Sequence, residues 1–270
     1  MNKMRVGIIG CGAIGAEIAK ACEERLNRSF VLTSICDADS AKTEALKRLL
    51  KSGVKVCDTD TLIKDAQLVI EVASASISAG ILKKCIAAKK DVLIMSVGGL
   101  LGNEGLLKEA EESGTKVYIP SGAVCGIDGL KAGGIGSIDS AILTTRKPPK
   151  GLAGAPYLKE KNIDIGGITK ETVIFEGDAL EAVKAFPQNV NVCAVLSLAG
   201  IGAAKTRVRI VSSPEYAKNV HEIEISGDFG RITTRTENVP SKANPKTSAL
   251  AFQSAIALLE GIAKNVKIGT

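Results

Sequence analysis

Two hydrophobic patterns divide the chain near residue 120. In the first part, short apolar runs such as Met4–Ile9 and Phe30–Cys36 alternate with segments in which apolar positions recur at helical spacing, as at Ile14, Ile18 and Cys22. The remaining predicted elements of this part are helices at 41–50, 77–88 and 104–113 and strands at 68–72, 92–95 and 116–119. Repeated strand–helix alternation predicts an α/β fold with a doubly wound parallel sheet over residues 1–120.

After Pro120 the apolar positions follow a period of two, with few helices between the strands. The predicted strands are 137–145, 172–175, 206–211, 219–226 and 231–236. This pattern indicates an α+β substrate and dimerisation domain with a mixed or antiparallel sheet over residues 121–242.

Residues 243–270 are predicted to form a C-terminal helix. Asn244 is a suitable N-cap and Pro245 suits the first helical position. The segment 248–262 is apolar almost all round, which is typical of a buried helix. We therefore expect it to pack between the two lobes or back on them.

Composition describes a globular chain and excludes several classes. Of 270 residues, 45% are hydrophobic and 24% charged, and the net charge of +6 is spread without a basic run. With 3% aromatic residues, nucleic-acid binding is not expected. The apolar stretch 190–204 is too short to cross a bilayer, so no membrane association is expected. Seven irregularly spaced cysteines, without metal-ligand spacing, indicate reduced thiols in the cytoplasm and no metal site.

A glycine fingerprint follows the first strand and opens the first helix, a context typical of Rossmann dinucleotide-binding domains. Gly10 and Gly12, with the following Ala13 and Ile14, are predicted to approach a pyrophosphate through their backbone. Asp37 ends the second strand, where an acidic residue accepts hydrogen bonds from the ribose; this favours NAD over NADP, although Asp37 could be an ordinary turn residue. Ser74 follows another strand and is either a cofactor contact or a helix cap.

The chain contains one histidine, His221, so a reaction that needs an imidazole has a single candidate. His221 alternates with Val220 and Glu222 and shares a predicted strand face with Ile223 and Ile225. That local pattern alone favours a core residue over a catalytic one.

Several strings of the second part, in this order behind a dinucleotide-binding half, resemble the L-aspartate dehydrogenase family of the de novo NAD biosynthesis route. They are 120–123 (PSGA), 126–129 (GIDG), 145–149 (TRKPP), 186–192 (FPQNVNV), 219–223 (NVHEI), 237–241 (ENVPS) and 244–248 (NPKTS). The resemblance covers nearly the whole chain. Ala243 departs from it, since another asparagine is expected there.

The resemblance implies that L-aspartate is oxidised with NAD or NADP to iminoaspartate, which hydrolyses to oxaloacetate and ammonia. It implies an active-site role for His221, cofactor contacts at the backbone of Ala123 and at Asn189, and a homodimer. Asn189 also precedes a long apolar helix that it could cap.

The two substrate carboxylates require donors, and the predicted helix start offers a positive terminus. The candidate substrate-binding residues there are Asn244, Lys246, Thr247 and Ser248, although Lys246 could equally be a solvated surface lysine. Arg146 and Lys147, beside two prolines, are interpreted as loop charges rather than carboxylate donors.

Three alternatives stay open. Cys125, early in the second part, could be the nucleophile of a semialdehyde dehydrogenase, although nothing nearby clearly lowers its pKa. A dihydrodipicolinate-reductase-like enzyme would share the architecture, but a substrate motif richer in histidine and lysine is expected there. A non-catalytic NAD-binding module would need a partner-binding region, and the sequence offers no candidate for one.

Overall fold

The computed structural model describes residues 3–187, 191–241 and 247–269. The chain divides into two compact units. The first comprises Met1–Pro120 with Phe252–Val266, and the second comprises Ser121–Ala251 with Lys267–Thr270.

The first unit is built on a six-stranded parallel sheet in the order β3-β2-β1-β4-β5-β6. Its elements up to Pro120 are β1 (Met4–Ile9), α1 (Ala13–Glu24), β2 (Phe30–Cys36), α2 (Ser40–Leu49), β3 (Lys55–Val56), α3 (Thr59–Asp65), β4 (Leu68–Glu71), α4 (Ala75–Ala87), β5 (Asp91–Ile94), α5 (Gly105–Ser113) and β6 (Val117–Tyr118). The strand order reverses between β1 and β4, which is where sheets of this kind bind their ligands. The predicted doubly wound sheet is confirmed.

The second unit contains a five-stranded sheet in the order β11-β10-β7-β9-β8. Its elements are α6 (Ile127–Gly133), β7 (Ile138–Lys147), α7 (Pro156–Glu160), β8 (Thr172–Asp178), α8 (Ala179–Ala185), α9 (Asn191–Ala199), β9 (Arg207–Ser212), β10 (Asn219–Gly227) and β11 (Gly230–Asn238). Strands β7 and β9 are parallel and the other neighbours are antiparallel, so the predicted second sheet is mixed.

The inner strands of this sheet carry its core. Strand β10 pairs with β7 on one side and with β11 on the other, and α9 packs against β7. Ile223 and Ile225 are buried on the same face as Leu143 of β7. The opposite face carries charged side chains, because successive residues of a strand point to opposite sides.

Helix α10 (Ala249–Ala263) differs from its prediction in two respects. It begins at Ala249, so Pro245 is not its first residue. Ser248, directly before the helix, forms an isolated antiparallel bridge with Pro240. Only Ala255 and Leu259 of this helix are fully buried, so the helix is less buried than predicted. A pattern that is apolar all round does not specify which side of a helix is covered.

Within the described ranges no helix is long and apolar enough to cross a membrane. Over the same residues, no group of three or more His, Cys, Asp or Glu side chains is arranged to hold a metal ion.

Candidate active site

The glycine loop after β1 packs closely against the chain that leaves β4. Gly10 has a φ of +109°, and a Cβ there would lie 2.7 Å from the carbonyl carbon of Val72. A Cβ at Gly15 would lie 2.0 Å from the Gly10 oxygen. Gly12, in contrast, has no atom within 4 Å of the position where its Cβ would be. The loop is therefore closed towards the sheet and open at Gly12, as close approach by a pyrophosphate requires.

Helix α1 begins at this open position. Gly12 is its N-cap and no side chain caps the helix, so Ala13 and Ile14 present first-turn amides at the loop. These amides and the positive end of the helix dipole would stabilise phosphate charge.

Asp37 fixes the glycine loop from the end of β2. Its Oδ2 accepts the Cys11 N–H at 2.7 Å, and its Oδ1 accepts the Asp39 N–H at 2.9 Å. Asp37 thus acts in part as an ordinary turn residue, the role that the sequence allowed as the alternative to a ribose contact. A carboxylate has about four acceptor positions, so both oxygens can still accept hydrogen bonds from ribose hydroxyls.

Glu71, the last residue of β4, is a buried carboxylate that the sequence reasoning passed over. It is fully buried, and its oxygens accept the N–H groups of Ala73 at 2.8 Å and Ser96 at 3.1 Å. Burial raises its pKa, while these hydrogen bonds act in the opposite direction. Glu71 therefore holds together the turn against which Gly10 packs. The available signal was an acidic residue at the end of an otherwise apolar strand.

Ser74 lies on that same turn, at the N-cap of α4, but its side chain forms no capping hydrogen bond. Its hydroxyl is exposed and lies 2.8 Å from the hydroxyl of Ser76. It therefore retains the capacity to contact a ligand.

His221 lies in β10, directly opposite Thr145 of β7 and Thr236 of β11. Its Nδ1 is 3.0 Å from the hydroxyl oxygen of Thr145. The side chain is 5% exposed, and burial, followed by the positive charge of Lys147, lowers its pKa to about 3. The imidazole is therefore neutral near pH 7.

Lys147 is the last residue of β7 and lies two positions beyond Thr145 on the same sheet face. It is 7% exposed, and burial lowers its pKa to about 8. Arg146 points to the opposite face, 3.4 Å from Glu222. The interpretation of both residues as loop charges was wrong, because β7 continues through them before the prolines.

The second unit contains a cavity of about 540 Å³, and Lys147 is one of the residues that line it. Asn219, two residues before His221 in β10, also lines it. Its walls are largely apolar and include Phe186, which is fully buried against Phe175 and Tyr157 at ring-centroid distances of 5.7 and 5.5 Å. The cavity thus combines apolar walls with two polar residues, Lys147 and Asn219, that lie on the strands carrying Thr145 and His221.

Asn238, at the end of β11, connects two of the predicted site residues. Its side-chain amide donates to the Ala123 carbonyl at 3.0 Å, and its Oδ1 accepts the Ser248 hydroxyl. The sequence reasoning missed Asn238, which was visible only as part of the string 237–241. Because Asn238 lies opposite Asn219 in the sheet, it connects Ala123 and Ser248 to β10, the strand that carries His221.

Cys125 is exposed, and its sulfur lies 3.4 Å from the Thr236 hydroxyl, which is not a base. Thr247 accepts the Ser241 N–H at 2.7 Å through its carbonyl oxygen. Asn189, Asn244 and Lys246 lie outside the described residues.

Comparison with known proteins gives matches over nearly the whole chain. Residues 128–262 match the family described as aspartate dehydrogenase, C-terminal, and residues 10–120 match the NAD binding domain of homoserine dehydrogenase. The chain is 44% identical to an L-aspartate dehydrogenase of Methanosarcina barkeri, over 99% of this chain and 100% of that protein. It is 46% identical to one of Methanosarcina acetivorans over the same shares. The crystal structure of an aspartate dehydrogenase from Thermotoga maritima superposes with a TM-score of 0.77 at 26% identity, over 99% of this chain and 100% of that one.

Proposed function

The chain belongs to the L-aspartate dehydrogenase family, and from this we propose that His221 is the acid–base residue of an NAD(P)-dependent oxidation of L-aspartate. The reaction removes a hydride from Cα and converts the amine to an imine, which water then hydrolyses to oxaloacetate and ammonia. When bound, the nicotinamide accepts the hydride. The proposal rests mainly on the position of His221, the one imidazole of the chain, two residues along β10 from Asn219, which lines a cavity together with Lys147.

The first unit fits a dinucleotide. The open space at Gly12 and the uncapped amides of Ala13 and Ile14 would hold the pyrophosphate, while Gly10 gives the loop its turn. Asp37 would accept the ribose hydroxyls and oppose a 2′-phosphate, which supports NAD over NADP. We propose that Ser74 and the Ala123 carbonyl region contact the cofactor, together with Asn189.

The chemistry requires a group that takes a proton from the substrate ammonium before the hydride can leave. A neutral imidazole can accept this proton and later pass one to or from the hydrolytic water. Since Nδ1 faces Thr145, we assign the transfer to Nε2. A pKa of about 3 makes the imidazole a weak base, and the negative charge of a bound dicarboxylate would raise this pKa by offsetting the charge of Lys147.

We further propose that the turn 244–248 binds one substrate carboxylate, through Asn244, Lys246, Thr247 and Ser248. The hydrogen bond from Ser248 to Asn238 supports this proposal, since it attaches the last residue of the segment to β11. Because α10 begins at Ala249, its helix dipole contributes at Ser248 rather than at Asn244.

We also propose a cytoplasmic homodimer. All seven cysteines lie within the described ranges, and none forms a disulfide. The sheet face opposite His221 carries Glu222 between Arg146 and Arg235, a charged surface suited to pairing with a second copy. Light scattering at micromolar concentration tests this, and a mass of one chain, 28.0 kDa, would contradict it.

A substrate panel tests the activity itself. NADH or NADPH formation is followed with L-aspartate, L-glutamate, L-asparagine, L-alanine and L-homoserine, each with both cofactors. We expect L-aspartate to give the highest kcat/KM and NAD to be preferred. Faster oxidation of another of these substrates would refute the assignment.

A further inference from the structure

The charges around the cavity of the second unit have one sign. Among the described residues that line it, three are lysines, Lys147, Lys150 and Lys218, and none is acidic. Lys150 and Lys218 are exposed, so they lie at the rim, where water screens their charge. Lys147, in contrast, is buried, so its charge is shielded from water.

The backbone around Lys147 is held firmly. Lys147 pairs with Ser212 in the β7–β9 ladder, and the hydroxyl of the fully buried Ser212 donates to the Lys147 carbonyl at 3.0 Å. Thr145, which contacts His221, is two residues earlier, about 7 Å along the strand. A ligand a few ångströms long can therefore reach both His221 and Lys147.

We propose that Lys147 binds the side-chain carboxylate of L-aspartate and thereby determines the preference for a dicarboxylic amino acid. This inference rests on the proposed function. An ammonium withdrawn from water interacts more strongly with a carboxylate than the exposed rim lysines do, since the local dielectric constant is lower.

The geometry favours the side-chain carboxylate over the α-carboxylate. The amine has to reach His221, and Cα has to remain accessible for hydride transfer. The group that reaches Lys147 is then the one most remote from Cα, which is the side-chain carboxylate. Asn219, which also lines the cavity, offers an amide for its second oxygen.

The test replaces Lys147 by Met, which keeps the length of the side chain and removes its charge. Exchange of a buried charge for an apolar residue is tolerated by most folds, and Lys147→Gln serves as a second variant, with thermal melting as the check on both. We expect KM for L-aspartate and KI for succinate to rise about 30-fold or more, since loss of one partner of a buried charge pair has effects of this size. We expect kcat to change less than about threefold.

Three controls make the result specific. Lys150→Met and Lys218→Met remove rim charges and should change KM less than about threefold. L-Asparagine has the shape of aspartate without the side-chain charge, and its KI should not change in Lys147→Met. An equal rise for L-asparagine would assign Lys147 to the α-carboxylate and overturn the proposal. A fall in kcat at constant KM would assign Lys147 to proton transfer and would overturn it as well.

Succinate binding to the NADH-saturated enzyme, measured by calorimetry, separates this proposal from the activity. If the wild type does not oxidise L-aspartate, the function fails regardless of Lys147. If it does, and succinate binds the wild type and Lys147→Met equally, the carboxylate assignment alone fails.

Discussion

Thr145 and His221 face each other across the β7–β10 ladder, with the threonine hydroxyl 3.0 Å from Nδ1 of the imidazole. Both residues are buried, at 3% and 5% exposure, so neither can exchange this partner freely for water. The pair engages Nδ1, so Nε2 is the ring nitrogen that the proposed proton transfer would use. A residue that local pattern suggests to be a plain core histidine is thus an oriented one.

Replacement of His221 by Ala should lower kcat for L-aspartate by about 10²- to 10⁴-fold, the usual contribution of a positioned acid–base group. NADH formation at saturating substrate measures it, with circular dichroism to confirm folding. A loss below tenfold would remove His221 from the chemistry.

Replacement of Thr145 by Val should lower kcat about tenfold or more, because the shape is kept but the imidazole loses its orienting hydroxyl. Thr145→Ser keeps the hydroxyl and is the matched control, expected to stay near wild type. Equal kcat values for the two variants would show that the hydrogen bond does not orient the ring.

The buried imidazole predicts an acid sensitivity of folding. The pKa of His221 is about 3 in the folded state and near 6.5 when unfolded, so between these values the unfolded chain binds the extra proton. The free energy of unfolding should therefore fall with decreasing pH below 6.5, by up to about 1.4 kcal/mol per pH unit from this residue. Urea denaturation at pH 6.5 and 5 should show a smaller decrease for His221→Gln, and identical slopes would contradict the prediction.

Two glycines of the fingerprint, Gly12 before α1 and Gly15 within it, should respond differently to alanine. Gly12→Ala should leave thermal stability unchanged, since its Cβ meets no atom within 4 Å, but should raise KM for NAD about tenfold or more by occupying the space for the pyrophosphate. Gly15→Ala should lower the free energy of unfolding by about 2 kcal/mol or more, because its Cβ would lie 2.0 Å from the Gly10 oxygen. If Gly12→Ala left KM for NAD unchanged, the pyrophosphate would not approach there.

Asp37→Ala should lower the ratio of kcat/KM for NAD to that for NADP about tenfold or more. Loss of the hydrogen bond to Cys11 should weaken the binding of NAD and of NADP alike. A change in the ratio therefore reports the contact between Asp37 and the ribose. Asp39→Ala removes the cap of α2 and an exposed ion pair with Lys42, and it should leave the ratio unchanged. An unchanged ratio in Asp37→Ala would limit this residue to holding the loop.

Much of the fold could be predicted because its signals are local. Strands β1 and β2 begin and end where the apolar runs do, and the glycine spacing identifies the cofactor half without reference to other residues. The short elements β3, α3, α6, α7 and α8 were missed, since a few residues carry too little periodicity to be distinguished from loops.

The sequence by itself determined the two sheets, the dinucleotide loop and the fact that only one imidazole is available. Tertiary structure decided what that imidazole contacts, because its partner Thr145 is 76 residues away and strand register alone brings them together. It also decided that Lys147 is buried while its neighbour Arg146 is paired on the opposite face, and that Glu71 supports a turn rather than filling a core. Burial and charge environment depend on contacts distant in sequence, and no local pattern encodes them.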